Sequence, residues 1–232
     1  MKKSDIKILL VDDEPDILEI IGFNLENAGY QVFKAKDGVE ALKQAKNIIP
    51  HLIIMDVMMP NLDGIEACDL IRKEDQLQQT VIMFLSARGE DFSYVAAFEA
   101  GADDYVTKPI KPKVLLSKVK GLLRRFKKPD SSEMVLEFGD LIIDKEEYKV
   151  TQNGQSFSLP RKEFELLFLL ASKPEKVMKR EKIMEKVWGN EVVVGDRTID
   201  VHIRKLREKV GNDYFKTIKG VGYKFVNNLA EK

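Results

Sequence analysis

Five short apolar runs constrain the fold of this chain more than any other feature: "IKILLV" (6–11), "QVFKA" (31–35), "LIIM" (52–55), "VIMFL" (81–85) and "DYVTK" (104–108). Amphipathic stretches of helical length separate them. One is "PDILEIIGFNLENAG", with Pro15 near its start and Gly29 placed to end it. Strands alternating with helices at this interval build right-handed βαβ units around a parallel sheet. Runs without polar alternation suit strands covered on both faces. The expected first domain is a five-stranded, parallel, doubly wound α/β fold.

In such sheets, ligands bind beyond the carboxyl ends of the strands. Asp12 and Asp13 follow the first run, Asp56 closes the third, Ser86 follows the fourth, and Lys108-Pro109 ends the fifth. The third is the most telling, because "HLIIMDVMMPNLDG" sets a carboxylate on an apolar strand and then breaks the chain with Pro60 and Gly64. Each residue alone has an ordinary explanation: a solvated turn or helix cap for the aspartates, a cap for Ser86, a surface charge for Lys108. Together on one rim they describe an oxygen-rich site. Such a site suits a hard cation such as Mg²⁺, with a lysine to meet a phosphate oxygen.

The chain has 232 residues, enough for two ordinary domains, and 44% of them are hydrophobic. The first 125 residues carry 17 Lys+Arg against 20 Asp+Glu, and the remainder carries 21 against 18. That places a mildly acidic module before a mildly basic one. One cysteine, Cys68, excludes a disulfide framework, and His51 and His202 are too isolated for a metal cluster. No apolar run approaches the ~18 residues of a membrane span. The basic start "MKK" meets Asp12 and Asp13 too soon for a secretion signal, so a cytoplasmic protein is expected. The charged, Pro- and Ser-containing stretch around "RRFKKPDSSEM" divides the chain into residues 1–125, a linker at 126–133, and residues 134–232.

The second half changes style. Short strand signals surround "QNGQ", whose Asn153-Gly154 pair is a hairpin turn signal. A helix follows in "RKEFELLFLLASKP", stopping at Pro174, then a second in "KREKIMEKVWGN", ending at Gly189. The third, "GDRTIDVHIRKLREKVGN", sets an apolar stripe (Ile199, Ile203, Leu206, Val210) against Arg197, Arg204, Lys205, Arg207 and Lys209. "YFKTIKGVGYKFV" closes the chain as a hairpin. Basic residues on one helix are usually only a solvated face. The order of helices, basic helix and hairpin instead points to a winged helix-turn-helix able to enter a DNA major groove.

The residues "LLVDDEPD", "LIIMDVMMPNLDGIE", "FLSARG" and "GADDYVTKP" resemble the receiver domain of two-component response regulators, over residues 5–125. The resemblance implies that Asp56 accepts a phosphoryl group from a sensor histidine kinase, self-catalysed and Mg²⁺-dependent, without the chain being a turnover enzyme. It implies Mg²⁺ ligation by Asp12, Asp13, Asp56 and the Met58 carbonyl, a cis Lys108-Pro109 bond, and phosphoryl contacts from Lys108 and Ser86. Tyr105 would be the aromatic that turns inward on switching; otherwise it is a half-buried strand aromatic.

"GDRTIDVHIRKLREK" and "IKGVGYKF" resemble the winged-helix effector domain of the OmpR/PhoB subfamily, over residues 134–227. This implies DNA contacts from Arg197, Thr198, His202, Arg204, Lys205 and Arg207, and from Thr217, Lys219, Tyr223 and Lys224 in the wing. It also implies a phosphorylation-dependent homodimer on tandem half-sites, with Glu99–Lys120 and Asp104–Lys118 as ion pairs. Where the subfamily carries a third pair, this chain has Tyr94 and Val114, so an apolar contact is expected there. Trp188 and "GNEVVVGD" are a candidate contact for RNA polymerase, though a core tryptophan is the favoured reading. Two other functions fit parts of the pattern. An Asp-nucleophile phosphohydrolase would carry DxD where this chain has "DDEP", and a phosphorylation-independent scaffold would not need the full set of site residues.

Overall fold

The computed structural model describes residues 2–87, 91–123, 135–189 and 197–227, with the side chains of 91–94 and of Arg197 excluded. The chain divides into two compact units, Met1–Pro129 and Asp130–Lys232.

In the first unit, β1 (Lys7–Val11), β2 (Gln31–Ala35), β3 (Leu52–Asp56), β4 (Val81–Ser86) and β5 (Asp104–Thr107) form one parallel sheet in the order β2-β1-β3-β4-β5. Because β1 and β3 are neighbours, the strand order reverses there and opens a crevice above their carboxyl ends. The helices are α1 (Pro15–Asn27), α2 (Gly38–Ile48), α3 (Gly64–Arg72), α4 (Asp91–Glu99) and α5 (Pro112–Leu123). Ile8, Leu10, Leu52, Ile54, Met83 and Leu85 share a core with α1 and α5. The alternate residues Leu9, Ile53, Met55, Ile82 and Phe84 are also buried, so both faces of the sheet are covered. This is why the runs lack polar alternation. Pro15 is the first residue of α1, and Gly29, with φ 93, turns the chain out of it.

In the second unit, β6 (Val135–Phe138), β7 (Leu141–Asp144), β8 (Lys149–Gln152) and β9 (Gln155–Ser158) form an antiparallel sheet in sequence order. Asn153 and Gly154 both have positive φ between β8 and β9, as a tight hairpin requires. The helices α6 (Arg161–Ala171), α7 (Arg180–Val187) and α8 (Arg197–Val210) follow, and β11 (Phe215–Ile218) and β12 (Gly222–Phe225) form the closing hairpin. Two details differ from the sequence reading. Helix α6 ends at Ala171, short of Pro174, because Ser172 and Lys173 already close the last turn onto Phe168 and Leu170. A two-residue strand, β10 (Met178–Lys179), joins the edge of β12. The stripe Ile199, Ile203, Leu206 and Val210 seats α8 in a core with Leu166, Leu170, Ile183 and Phe225. No helix among the described residues is long and apolar enough to cross a membrane.

Candidate functional site

Strand β3 ends on Asp56, which is buried, at the crevice predicted by the strand order. The loop that follows is fixed from both sides. Gly64 N–H donates to the Val57 carbonyl (2.9 Å), and a Cβ at Gly64 would meet the Asp56 carbonyl oxygen at 2.0 Å. Glycine is therefore required for α3 to begin so close to the end of β3. Across the loop, the Asn61 side-chain amide donates to Asp37 Oδ2 (2.8 Å), while Asp37 Oδ1 accepts from Glu40 N–H (2.8 Å) and caps α2. These two contacts hold the Asp37 carboxyl below its ordinary range, the Glu40 bond contributing most. Neither Asp37 nor Asn61 is distinguished in the sequence.

Five charged groups converge above β1, β3 and β5. Lys108 Nζ lies 2.6 Å from Asp56 Oδ2, 2.7 Å from Asp12 Oδ2 and 3.5 Å from Glu14 Oε1. Carboxylate oxygens of Asp12, Asp13 and Asp56 all lie within 4.8 Å of one another. Burial pushes the Asp12 carboxyl up, against the opposing pull of Lys108 and of the Glu14 N–H. Burial alone would lower the Lys108 ammonium, but its bonds to Asp12 and Asp56 outweigh that and raise it, so it stays protonated. One lysine shared by several carboxylates leaves negative charge uncompensated. Asp12 Oδ2 is fully buried, with the Lys108 ammonium beside it. An all-oxygen set of three clustered carboxylates, with one lysine to offset them, fits a small divalent cation.

Ser86 closes β4 on the same rim, buried, but its hydroxyl donates to the Ala87 carbonyl (2.9 Å) instead of pointing to the acids. Met58 N–H donates to Asp56 Oδ1 (3.3 Å), and the Met58 side chain is 75% exposed over the site. The Lys108-Pro109 bond is cis. Tyr105 is half-buried on β5. Glu14, in "DDEP", is not marked by the sequence, although its carboxylate also faces Lys108.

On α4 and α5, Glu99 and Lys120 are exposed, and Val114 is 48% exposed. Asp104 and Lys118 are already neighbours in the single chain. They pair within one chain at 3.1 Å, with Asp104 buried. Burial pushes the Asp104 carboxyl up, and Lys118 opposes the shift. The Tyr94 side chain lies outside the described residues.

In the second unit, the residues expected to contact DNA differ in exposure and in their partners within the chain. Arg204 is exposed on α8 and bonds Glu208 one turn on (3.1 Å). Arg207 is half-buried, bridging α8 to β11 through the Phe215 carbonyl (3.0 Å) and Thr217 Oγ1 (2.9 Å). Lys205 is turned toward the protein instead: its ammonium lies 4.0 Å from Glu163 of α6, which is buried and also pairs with Lys209 at 2.8 Å. Thr198 and His202 are buried, the ring of His202 bonding the Thr198 carbonyl and meeting Trp188 edge-on. Tyr223 is buried as well, its hydroxyl held by Asp200 and Arg180, and Lys224 pairs with Glu175. Thr217 and Lys219 are exposed at the wing. The Arg197 side chain lies outside the described residues, as does most of the loop after Trp188. Trp188 itself is buried in the core of this unit.

Known proteins share both units. Residues 8–120 match the family described as "Response regulator receiver domain", and residues 154–225 match "Transcriptional regulatory protein, C terminal". The chain is 41% identical over 231 residues to the alkaline phosphatase synthesis transcriptional regulatory protein PhoP of Bacillus subtilis, covering 94% of this chain and 95% of that protein. It is 38% identical over 223 residues to the phosphate regulon transcriptional regulatory protein PhoB of Escherichia coli, with 94% and 97% covered. The crystal structure of response regulator DrrB, a Thermotoga maritima OmpR/PhoB homolog, matches at 37% identity and a TM-score of 0.50, covering 95% of this chain and 99% of that one. With a receiver fold, an acidic crevice and a DNA-binding unit in one chain, this protein belongs to the OmpR/PhoB family of response regulators, which bind DNA and regulate transcription.

Proposed function

We propose that phosphorylation of Asp56 controls DNA binding by this regulator. The observation that carries the reading is the Lys108 ammonium, 2.6 Å from Asp56 and 2.7 Å from Asp12 at the carboxyl ends of the strands. A carboxylate held in that position is a nucleophile with a cation ready beside it. One Asp56 oxygen attacks the phosphorus of a phosphohistidine on a sensor kinase. The O–P bond forms as the P–N bond breaks, and the electron pair leaves with the imidazole. Lys108 transfers its contact from the carboxylate to a phosphoryl oxygen. The Ser86 hydroxyl gives up Ala87 and rotates to donate to another, and Tyr105 fills the space vacated beside it. Asp12, Asp13, Asp56 and the Met58 carbonyl would hold Mg²⁺, which supplies neutralisation of phosphoryl charge.

The reaction ends at the aspartyl phosphate, so the chain is its own substrate and not a turnover enzyme. A cytoplasmic location follows from this reading, since kinase and promoter are both met there. Phosphorylation then favours a homodimer through α4, β5 and α5, with Glu99–Lys120 crossing between copies and Val114 facing Tyr94. Two DNA-binding units held together gain effective concentration on tandem half-sites about one helical turn apart. Exposed ion pairs contribute only about 0–1 kcal/mol each, so replacing one by an apolar contact is compatible with the dimer. Incubation with acetyl phosphate and Mg²⁺, followed by intact mass measurement, tests the chemistry. A single phosphoryl adduct absent from Asp56→Asn is expected; an adduct that persists in Asp56→Asn would refute the assignment.

A further inference from the structure

The outward face of α8 is not uniformly basic. Among its described side chains, Asp200, Arg204, Glu208 and Lys209 are exposed, and the first three stand four residues apart on one stripe. Lys205, which would have strengthened that face, is turned to the buried Glu163. On that stripe, a guanidinium stands between two carboxylates. A surface meant only for phosphates presents donors, because a carboxylate there repels the backbone. Base edges in the major groove offer donors and acceptors both.

Asp200 is also held in place. Its Oδ1 accepts from Arg180 Nη2 and from the Tyr223 hydroxyl, which reach it from α7 and β12. Burial and the adjacent carboxylate push the Tyr223 hydroxyl up to about 12, so it remains a donor throughout the physiological range. Arg180 stacks over the Tyr223 ring at 5.3 Å and offsets the charge of Asp200 beside a phosphate backbone. With Oδ1 engaged from behind, Oδ2 accepts from no described residue, and the side chain is 47% exposed. A fixed, partly exposed carboxylate is suited to accepting from a donor on a base edge.

We propose that Asp200 reads sequence by accepting a hydrogen bond from the exocyclic amino group of a cytosine in the major groove, next to the base contacted by Arg204. Arg180 and Tyr223 act as positioning residues for it. The assignment rests on α8 being the groove-reading helix and names one base that it selects.

Selection from a randomised duplex pool with the full-length chain tests this, comparing wild type, Asp200→Asn and Arg204→Ala. Wild type should select a site with cytosine at one position. Asp200→Asn, nearly isosteric, should lose that preference by about tenfold and move toward adenine, which an amide pairs with in the major groove. Preferences elsewhere in the site should stay unchanged. An unaltered selected sequence, or uniform weakening at every position, overturns the assignment by leaving Asp200 a structural role. If Arg204→Ala changes the selected site and Asp200→Asn does not, only the Asp200 proposal falls. If neither variant changes it, the groove-reading role of α8 falls too.

Discussion

His51, one of two histidines and unremarkable by sequence, stands at the amino end of β3 with Nδ1 accepting the Lys7 N–H at 3.1 Å. That bond needs an unprotonated Nδ1, and burial with the nearby Lys7 ammonium lowers the imidazole below its ordinary value. The unfolded chain therefore binds a proton at His51 that the folded chain refuses. Stability should be lost as pH falls through the ordinary histidine range near 6.5. His51→Gln should flatten this loss in chemical denaturation at pH 7 and pH 5.5; an identical loss would contradict it. Arg72 is a second residue the sequence concealed. It bonds Asp103 at 2.8 Å, and its side chain also donates to the Gly101 and Thr80 carbonyls. The pair spans 31 positions and three elements, so no local spacing announces it. Asp103→Ala leaves a buried guanidinium short of its counter-charge and should cost about 3–5 kcal/mol in urea unfolding. The residues of the acidic crevice were legible for the opposite reason: strand ends are marked in sequence, and these residues share one rim.

Elements were legible where backbone chemistry is local. Pro15, Gly29 and the Asn153-Gly154 turn act within a few residues and lie where the sequence placed them. Strand β10 was not, because two residues carry no period and it forms only against β12, more than forty positions later. The inward turn of Lys205 was hidden likewise, since α8 shows its basic residues but not Glu163 on α6. Two glycines test the packing of helices on the sheet. Gly64→Ala would drive a methyl into the Asp56 carbonyl oxygen at 2.0 Å, a rigid backbone atom, and should destabilise by more than about 2 kcal/mol. Gly22 in α1 would meet only the end of the Lys34 side chain, at 2.7 Å, which can move. Gly22→Ala should therefore stay within about 1 kcal/mol of wild type, the helix preference for alanine offsetting the displaced lysine. Thermal or urea unfolding of the two variants gives the comparison, and equal effects would contradict it.

At the scale of the molecule, an acidic receiver and a DNA-binding unit share one chain, and the account links them through Asp56. The dimer belongs to this scale, and Tyr94→Ala tests it. If Tyr94 meets Val114 of a second copy, the phosphorylated variant should dimerise more weakly in sedimentation, and unchanged affinity would remove that contact. The most direct measurement of the central claim is DNA affinity with and without acetyl phosphate and Mg²⁺, for wild type and Asp56→Asn, at one fixed salt concentration. The duplex should carry two tandem copies of the half-site that the protein itself selects, with a single copy as the control. Binding should tighten on phosphorylation for wild type alone, and much more on the tandem site than on the single one. Equal affinities with and without the phosphoryl donor, in a protein shown by mass to carry the adduct, would contradict it.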